Sequence, residues 1–388
     1  MMSLLSKREL VTVVGPRYRA ARRNEKSRIL DEFVAATGYE RKYAIQVLNH
    51  PPTPKPRKKR LKARRYTPQV KEALLKVWRI ADGICSKRLV PGLPSLIDAL
   101  ERHDELRLDA ETKALLLAIS PATADRLVKD DRRQLKRHGR ATTKPGTLLK
   151  QQIKVRTFAD WDDARPGFVE VDLVAHCDDS TAGEFLYTLV LTDIATAWTE
   201  CVPLLNRSQK AVVAAIEQAR QRFPFPLLGI DSDNGSEFIN ALLLRYCRER
   251  KLTFTRSRPY KKNDQAYVEQ KNWSVVRHYV GYDRFESATA HRALLTLYAP
   301  LRLYLNFFLP DLKLVSKHRV DGKVHKKYDT AKTPYQRVLD SGILDTERRA
   351  DLQATYRGLN PAALKRQIDA LQDTLWQHAT VRFSREAA

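Results

Sequence analysis

At residue 166 the hydrophobic period of the chain changes from that of helices to strict alternation, and the elements beyond that point come in a fixed order. Residues 168–176 (Phe-Val-Glu-Val-Asp-Leu-Val-Ala-His) read as a strand. Phe168, Glu170, Asp172, Val174 and His176 share one face, and Val169, Val171, Leu173 and Ala175 share an apolar one. Residues 185–194 and 198–204 give two further strands. Residues 208–222 give an amphipathic helix through Val212, Ala215, Ile216 and Ala219. A short buried strand comes next at 227–230, left through the turn Asp233-Asn234-Gly235. A helix over 238–251, a strand over 253–257 and a helix bearing Glu269 close the block.

Three carboxylates in this block point to chemistry. Asp172 projects from the more polar face of its strand, Asp233 lies at a strand exit, and Glu269 lies on the closing helix. Sixty residues separate the first two and 35 the last two. Three acids can cage a pair of Mg²⁺ ions, and Mg²⁺ prefers oxygen ligands and substrate phosphates. Two such ions clamp the attacking and leaving oxygens of an in-line displacement at phosphorus. The chain has 45 Asp and Glu, so spacing alone says little; the strand, tight-turn and helix contexts carry the weight. Asp231 rivals Asp233, with which it shares strand parity. Asp233 is preferred because it precedes the Asn-Gly turn, with Asp231 and Asn234 supporting the ligands from behind. His176 lies too far along its strand to share a metal with Asp172.

The element order is that of a ribonuclease H-like fold. The block resembles the catalytic core of the retroviral-integrase-type DDE transposases of bacterial insertion sequences. The resemblance rests on Asp172 in Val-Asp-Leu, on Ser232-Asp233-Asn234-Gly235 with Glu237-Phe238, and on Glu269 in Tyr-Val-Glu-Gln-Lys-Asn-Trp. It covers about 166–280, and the 35-residue gap matches the D,D-35-E signature. It implies Asp172, Asp233 and Glu269 as catalytic residues and ligands of two Mg²⁺ or Mn²⁺ ions, acting on double-stranded DNA. It also implies 3′-end hydrolysis and strand transfer of a mobile element, with a dimer or larger assembly acting on terminal repeats and target DNA. The family often has a basic residue two helical turns past the glutamate; here that position is Val276. Lys271, Arg277 and the pair Lys261-Lys262 are substitute phosphate contacts, a solvated surface being the alternative for each.

Charge divides the chain. Residues 1–150 hold 35 Lys and Arg against 16 Asp and Glu, whereas the remainder holds 35 against 29, within a total of +25. A basic front half suggests a polyanion-binding arm. Residues 1–50 read as a helix-turn-helix module, with helices on either side of Gly38. Its second helix presents Arg41, Lys42, Tyr43 and Gln46 to phosphates and base edges. A plain helical hairpin has the same pattern. Residues 51–65 hold four prolines and eight Lys/Arg, Lys58, Lys59 and Arg60 among them, and read as a linker that can follow a DNA backbone. Residues 66–140 read as a second helical domain, either another helix-turn-helix or a structural bundle. Residues 141–165 are a linker, 166–285 the catalytic core, and 286–388 a basic and helical region. In that last region a hairpin is expected through Asp321-Gly322. A stripe of Leu364, Ile368, Leu371 and Leu375 serves self-association or docking.

The expected architecture is therefore an α/β ribonuclease H-like catalytic core, with a mixed five-stranded sheet and flanking helices. All-α helix-turn-helix modules precede it, and a small basic β hairpin and helical region comes after it. No apolar run approaches the roughly 18 residues of a spanning helix, and no signal core is evident, so a cytoplasmic, nucleoid-associated enzyme is expected. The four cysteines are far apart, which suits free thiols rather than a structural zinc. Two other readings share the fold: a catalytically silent DNA-binding regulator, and a ribonuclease H-like nuclease without strand transfer.

Overall fold

A computed structural model describes residues 2–51, 66–134, 154–155, 165–233, 235–257, 265–320 and 323–380. They fall into two compact units, 1–65 and 66–388. In the first, α1 (Leu4–Ala20), α2 (Arg23–Thr37) and α3 (Arg41–Asn49) bury Ile29, Leu30, Phe33, Ala44 and Leu48 with Val11 and Tyr18. α2 ends because Gly38 adopts φ +67°, a left-handed conformation that costs most side chains a clash with their own Cβ. α1 escaped the sequence reading because only three of its 17 residues are buried and Pro16 lies inside it. Arg19 holds it in place by donating to the Leu48 carbonyl at 2.6 Å.

The second unit is built on one sheet. Its strands are β1 (Lys154–Val155), β2 (Phe168–Ala175), β3 (Tyr187–Asp193), β4 (Thr199–Leu204), β5 (Gly229–Ser232) and β6 (Thr253–Arg256), in the order β1-β6-β5-β2-β3-β4. β2, β3 and β4 form an antiparallel meander, while β5 and β6 join parallel to β2 through α9 (Gln209–Arg220) and α10 (Ala241–Glu249). This is the expected mixed five-stranded ribonuclease H-like sheet, with the two-residue β1 added parallel at the edge. β5 starts and ends two residues later than its apolar run suggests, because pairing continues to Ser232, opposite Val171 and Arg256.

Both faces of β2 are largely covered, although Asp172 on the more polar one remains partly exposed. Glu170 and His176 are both fully buried. Parallel strands acquire such cover because their crossover helices pack on both sides. The His176 ring bonds Thr188 Oγ1 at 2.8 Å, and that hydroxyl bonds the Tyr298 hydroxyl at 2.7 Å. Burial pushes the His176 imidazole down to about 3, which keeps it a neutral core group.

α4 (Pro68–Ile80), α5 (Ser86–Arg102), α6 (Ala110–Leu117) and α7 (Pro121–Leu127) share the apolar core of the sheet unit, and the polar α8 (Lys129–Gln134) comes after them. α11 (Ala266–Lys271) passes directly into a π-helical turn, Asn272–Arg277. α12 (Ala288–Phe308) carries Leu294, Leu297, Tyr298, Leu301 and Tyr304 into that same core. β7 (Leu314–Val320) and β8 (Lys323–Tyr328) pair antiparallel as the expected hairpin; Asp321 and Gly322 lie outside the described residues. α13 (Pro334–Asp340), α14 (Thr346–Gly358) and α15 (Pro361–Trp376) end the chain's described elements. The α15 stripe is spent inside the unit: Leu364, Ile368 and Leu375 are buried, and Gln372 donates to the Tyr279 carbonyl at 2.8 Å. No described helix is long and apolar enough to cross a membrane.

Candidate active site

Register brings the first two acids together. In the parallel pair β2–β5, Glu170 stands beside Asp231 and Val171 beside Ser232. One residue further on, Asp172 and Asp233 are the next in each strand's direction, where β5 has just ended. Asp233 takes the Gly235 amide on Oδ1 at 2.8 Å. A Cβ on Gly235 would lie 2.7 Å from the Glu237 carboxyl carbon and 2.9 Å from that same oxygen, so glycine lets both carboxylates sit close without shifting.

Asp172 is partly exposed. Its Oδ1 accepts from the Leu173 amide at 2.8 Å, and its Oδ2 accepts from Asn272 Nδ2 at 2.6 Å. Burial, followed by the field of Asp233 and more weakly that of Glu269, pushes the Asp172 carboxyl up to about 7. Burial also pushes Asp233 up to about 6, with Glu237 adding to the rise against the Gly235 amide. Glu269 lies exposed on α11. Among the described residues no three His, Cys, Asp or Glu side chains sit close enough to hold one metal ion between them. The donor set nevertheless fits a hard divalent cation by chemistry: two adjacent carboxylates resist ionising together, and a cation is what relieves them.

Two residues that the sequence reading passed over orient this group. Glu170, 1% exposed, accepts the Tyr267 and Val268 amides on Oε2 at 2.9 and 3.0 Å. It thereby caps the first turn of α11, the helix that presents Glu269, and its charge suits a helix N-terminus. Its position two residues before Asp172 on the same strand face was the available signal. Asn272 comes three residues after Glu269, a spacing that puts both on neighbouring parts of one helix. Glu170→Gln is expected to lower activity by about ten- to hundred-fold, the range typical of residues that orient metal ligands. Single-turnover DNA cleavage with unchanged melting behaviour checks it.

Asp231 is fully buried in the row beneath, where Thr255 Oγ1 donates to its Oδ1 at 2.5 Å and Gln265 reaches its carbonyl. It supports the strand ends rather than facing Asp172. Asn234, Lys58, Lys59, Arg60, Lys261 and Lys262 lie outside the described residues. Lys271 requires a correction: it is 7% exposed and ion-paired with Asp311, so it is not presented to a phosphate. Arg277 requires another. Its guanidinium donates to the Ala175 carbonyl at 3.0 Å and covers the Tyr282 ring at 4.7 Å, tying the π turn to the end of β2. Val276 is buried as well. On α3, Arg41, Lys42, Tyr43 and Gln46 are all exposed; Arg41 pairs with Asp31, and Tyr43 meets Tyr39 edge-on at 5.0 Å.

The raised acids make a testable cost. Asp172 and Asp233 ionise near pH 4 in an unfolded chain but near 7 and 6 in the fold. Between those values the folded state holds protons that the unfolded chain has released, so stability falls as pH rises through the window and the loss is complete above it. In a chelator, Asp172→Asn is therefore expected to melt higher than wild type at pH 8 and little differently at pH 4. Thermal melts at the two pH values decide this, and equal melting at pH 8 would contradict it.

Residues 162–262 match the family model described as Integrase core domain. The chain is also similar to "Uncharacterized protein y4rM" of Sinorhizobium fredii (strain NBRC 101917 / NGR234), 48% identical over 336 residues, which spans 87% of this chain and 96% of that protein. Among solved structures, the catalytic core domain of BIV integrase aligns over 45% of this chain and 95% of its own, with 18% identity and a TM-score of 0.30.

Proposed function

We propose that this chain, which belongs to the DDE transposase family built on an integrase core domain, cuts DNA at the ends of a mobile element and joins the freed 3′ ends to target DNA. The observation that carries this reading is the juxtaposition of Asp172, within β2, and Asp233, just past the end of the parallel strand β5, with Asn272 of the Glu269-bearing helix bonded to Asp172. Asp172, Asp233 and Glu269 are the residues that would hold Mg²⁺ or Mn²⁺. Bound there, the ions would supply Lewis-acid activation of the attacking oxygen and neutralise charge on the phosphate. The protein's own part is positional. Glu170 fixes the pitch of α11, Asn272 orients the Asp172 carboxylate, and the Gly235 amide orients that of Asp233. No histidine, serine or cysteine is needed as a nucleophile.

Selection of DNA falls to other parts. α3, with Lys42, Tyr43 and Gln46 on its open face, is suited to terminal-repeat recognition in a major groove. Lys42→Ala is expected to weaken binding to all duplexes and to lower the salt slope by about one, as for a phosphate contact. Gln46→Ala should instead relax sequence preference. Filter binding across salt concentrations and sequences tells the two apart. Because two element ends must be joined together, a dimer or larger assembly on DNA is expected.

The test is incubation with labelled terminal-repeat DNA, a target plasmid and Mg²⁺. Joined products that vanish in Asp233→Asn support the transposase. Cleavage without joining would favour a nuclease, and binding with neither would favour a regulator.

A further inference from the structure

Among the described residues, the most exposed aromatic side chain follows directly on the residue that holds Asp172. Trp273 is 66% exposed, against 44–47% for Tyr43, Tyr328 and Trp376. It comes directly after Asn272, whose amide holds Asp172. It also lies about one turn past Glu269 on the solvent side of the helix: Glu269, Gln270 and Trp273 are exposed, while Val268, Lys271, Val275 and Val276 are buried. Its indole makes no hydrogen bond or ring contact among the described residues. The π-helical turn that contains it, Asn272–Arg277, is a form that occurs mostly as single turns within α-helices and is frequent at functional sites.

An indole in that place has a chemical use. A phosphodiester must reach carboxylates set partly below the surface, which favours a strand end lifted out of its duplex. A lifted base offers a π face, and base–aromatic stacking tolerates any sequence because every base has one. We propose that Trp273 is a stacking platform for a nucleobase at the DNA end, holding the reacting strand unpaired over Asp172 and Asp233. This rests on the proposed function and adds a substrate-positioning residue to it. The surrounding helix serves the role: buried Val275 and Val276 anchor the turn from below, so the indole is held on a fixed base.

The experiment uses the full chain carrying Asp172→Asn, which binds without cutting, in Mg²⁺. Its DNA is a set of short duplexes with 2-aminopurine at the blunt end or at an internal position. The expected result is a fluorescence change confined to the terminal positions, kept by Trp273→Phe and lost in Trp273→Ala. Affinity of Trp273→Ala for blunt ends is expected to fall about ten- to hundred-fold. Trp273 is exposed, so both variants should melt as the parent does. The proposal is overturned if Trp273→Ala keeps the terminal signal, if internal and terminal positions respond alike, or if the substitution alters only self-association. Cleavage is scored separately with Asp172 intact. Its absence beside a terminal stacking signal would sink the proposed activity while leaving the platform standing.

Discussion

Asp172→Asn, Asp233→Asn and Glu269→Gln are each expected to lower strand cleavage and joining by at least about 10³-fold, or ~4 kcal/mol of transition-state stabilisation. DNA binding should be unchanged. Each substitution keeps the size of the side chain and removes one formal charge, so a loss confined to chemistry identifies the charge as the agent. The losses should be similar for Asp172 and Asp233, which are next in line beyond the last residues paired between β2 and β5, with Asp172 raised to about 7 and Asp233 to about 6. Single-turnover cleavage of labelled ends measures this. A variant retaining a tenth of wild-type cleavage would remove that residue from the reacting group.

Asp311→Asn carries the largest expected effect on stability. Asp311 accepts from Arg88 of α5 at 2.8 Å and pairs with Lys271 of α11, and its carbonyl accepts from Arg337 of α13 at 2.9 Å. Burial alone would raise this carboxyl, but the fields of Lys271 and Arg88 outweigh burial and hold it below the usual carboxylate range. Breaking a buried pair leaves cations without their counter-charge, which costs about 3–5 kcal/mol, enough to lower the melting temperature by on the order of 10 °C. Because the carboxyl is depressed, its stabilisation is present in full at neutral pH and is lost as pH falls below about 4. The gap between wild type and Asp311→Asn should therefore narrow as pH falls below about 4. Melts at pH 7 and pH 3 test both halves, and a gap as large at pH 3 as at pH 7 would assign the effect to packing. Adding Lys271→Met to Asp311→Asn should recover only the share of the loss owed to Lys271, since Arg88 still lacks its counter-charge.

The core was legible because each strand announces itself by alternation and each crossover helix by an apolar stripe. Val212, Ala215, Ile216 and Ala219 are buried as their spacing requires. The positions of Asp172 and Asp233 could also be read, since parity and turn chemistry are local. Features decided by tertiary contact could not be read. Glu170 looks like a solvent-facing acid in sequence, and only the approach of α11 turns it into a helix cap. Lys271 and Arg277 resemble phosphate contacts in a basic chain, yet Asp311 and the Ala175 carbonyl are their partners. A charged residue near Glu269 carries no label for the side of the helix it occupies once a π turn shifts the register. Likewise, residues 66–140 read as a domain, while the apolar faces of α4–α7 share a core with the sheet.

Binding of Mn²⁺, monitored by electron paramagnetic resonance on the full chain, tests most directly whether Asp172, Asp233 and Glu269 act together on a divalent ion. Saturable binding that is lost in Asp172→Asn and in Asp233→Asn, and weakened in Glu269→Gln, is the predicted result. Binding that is unchanged in Asp172→Asn would contradict the account.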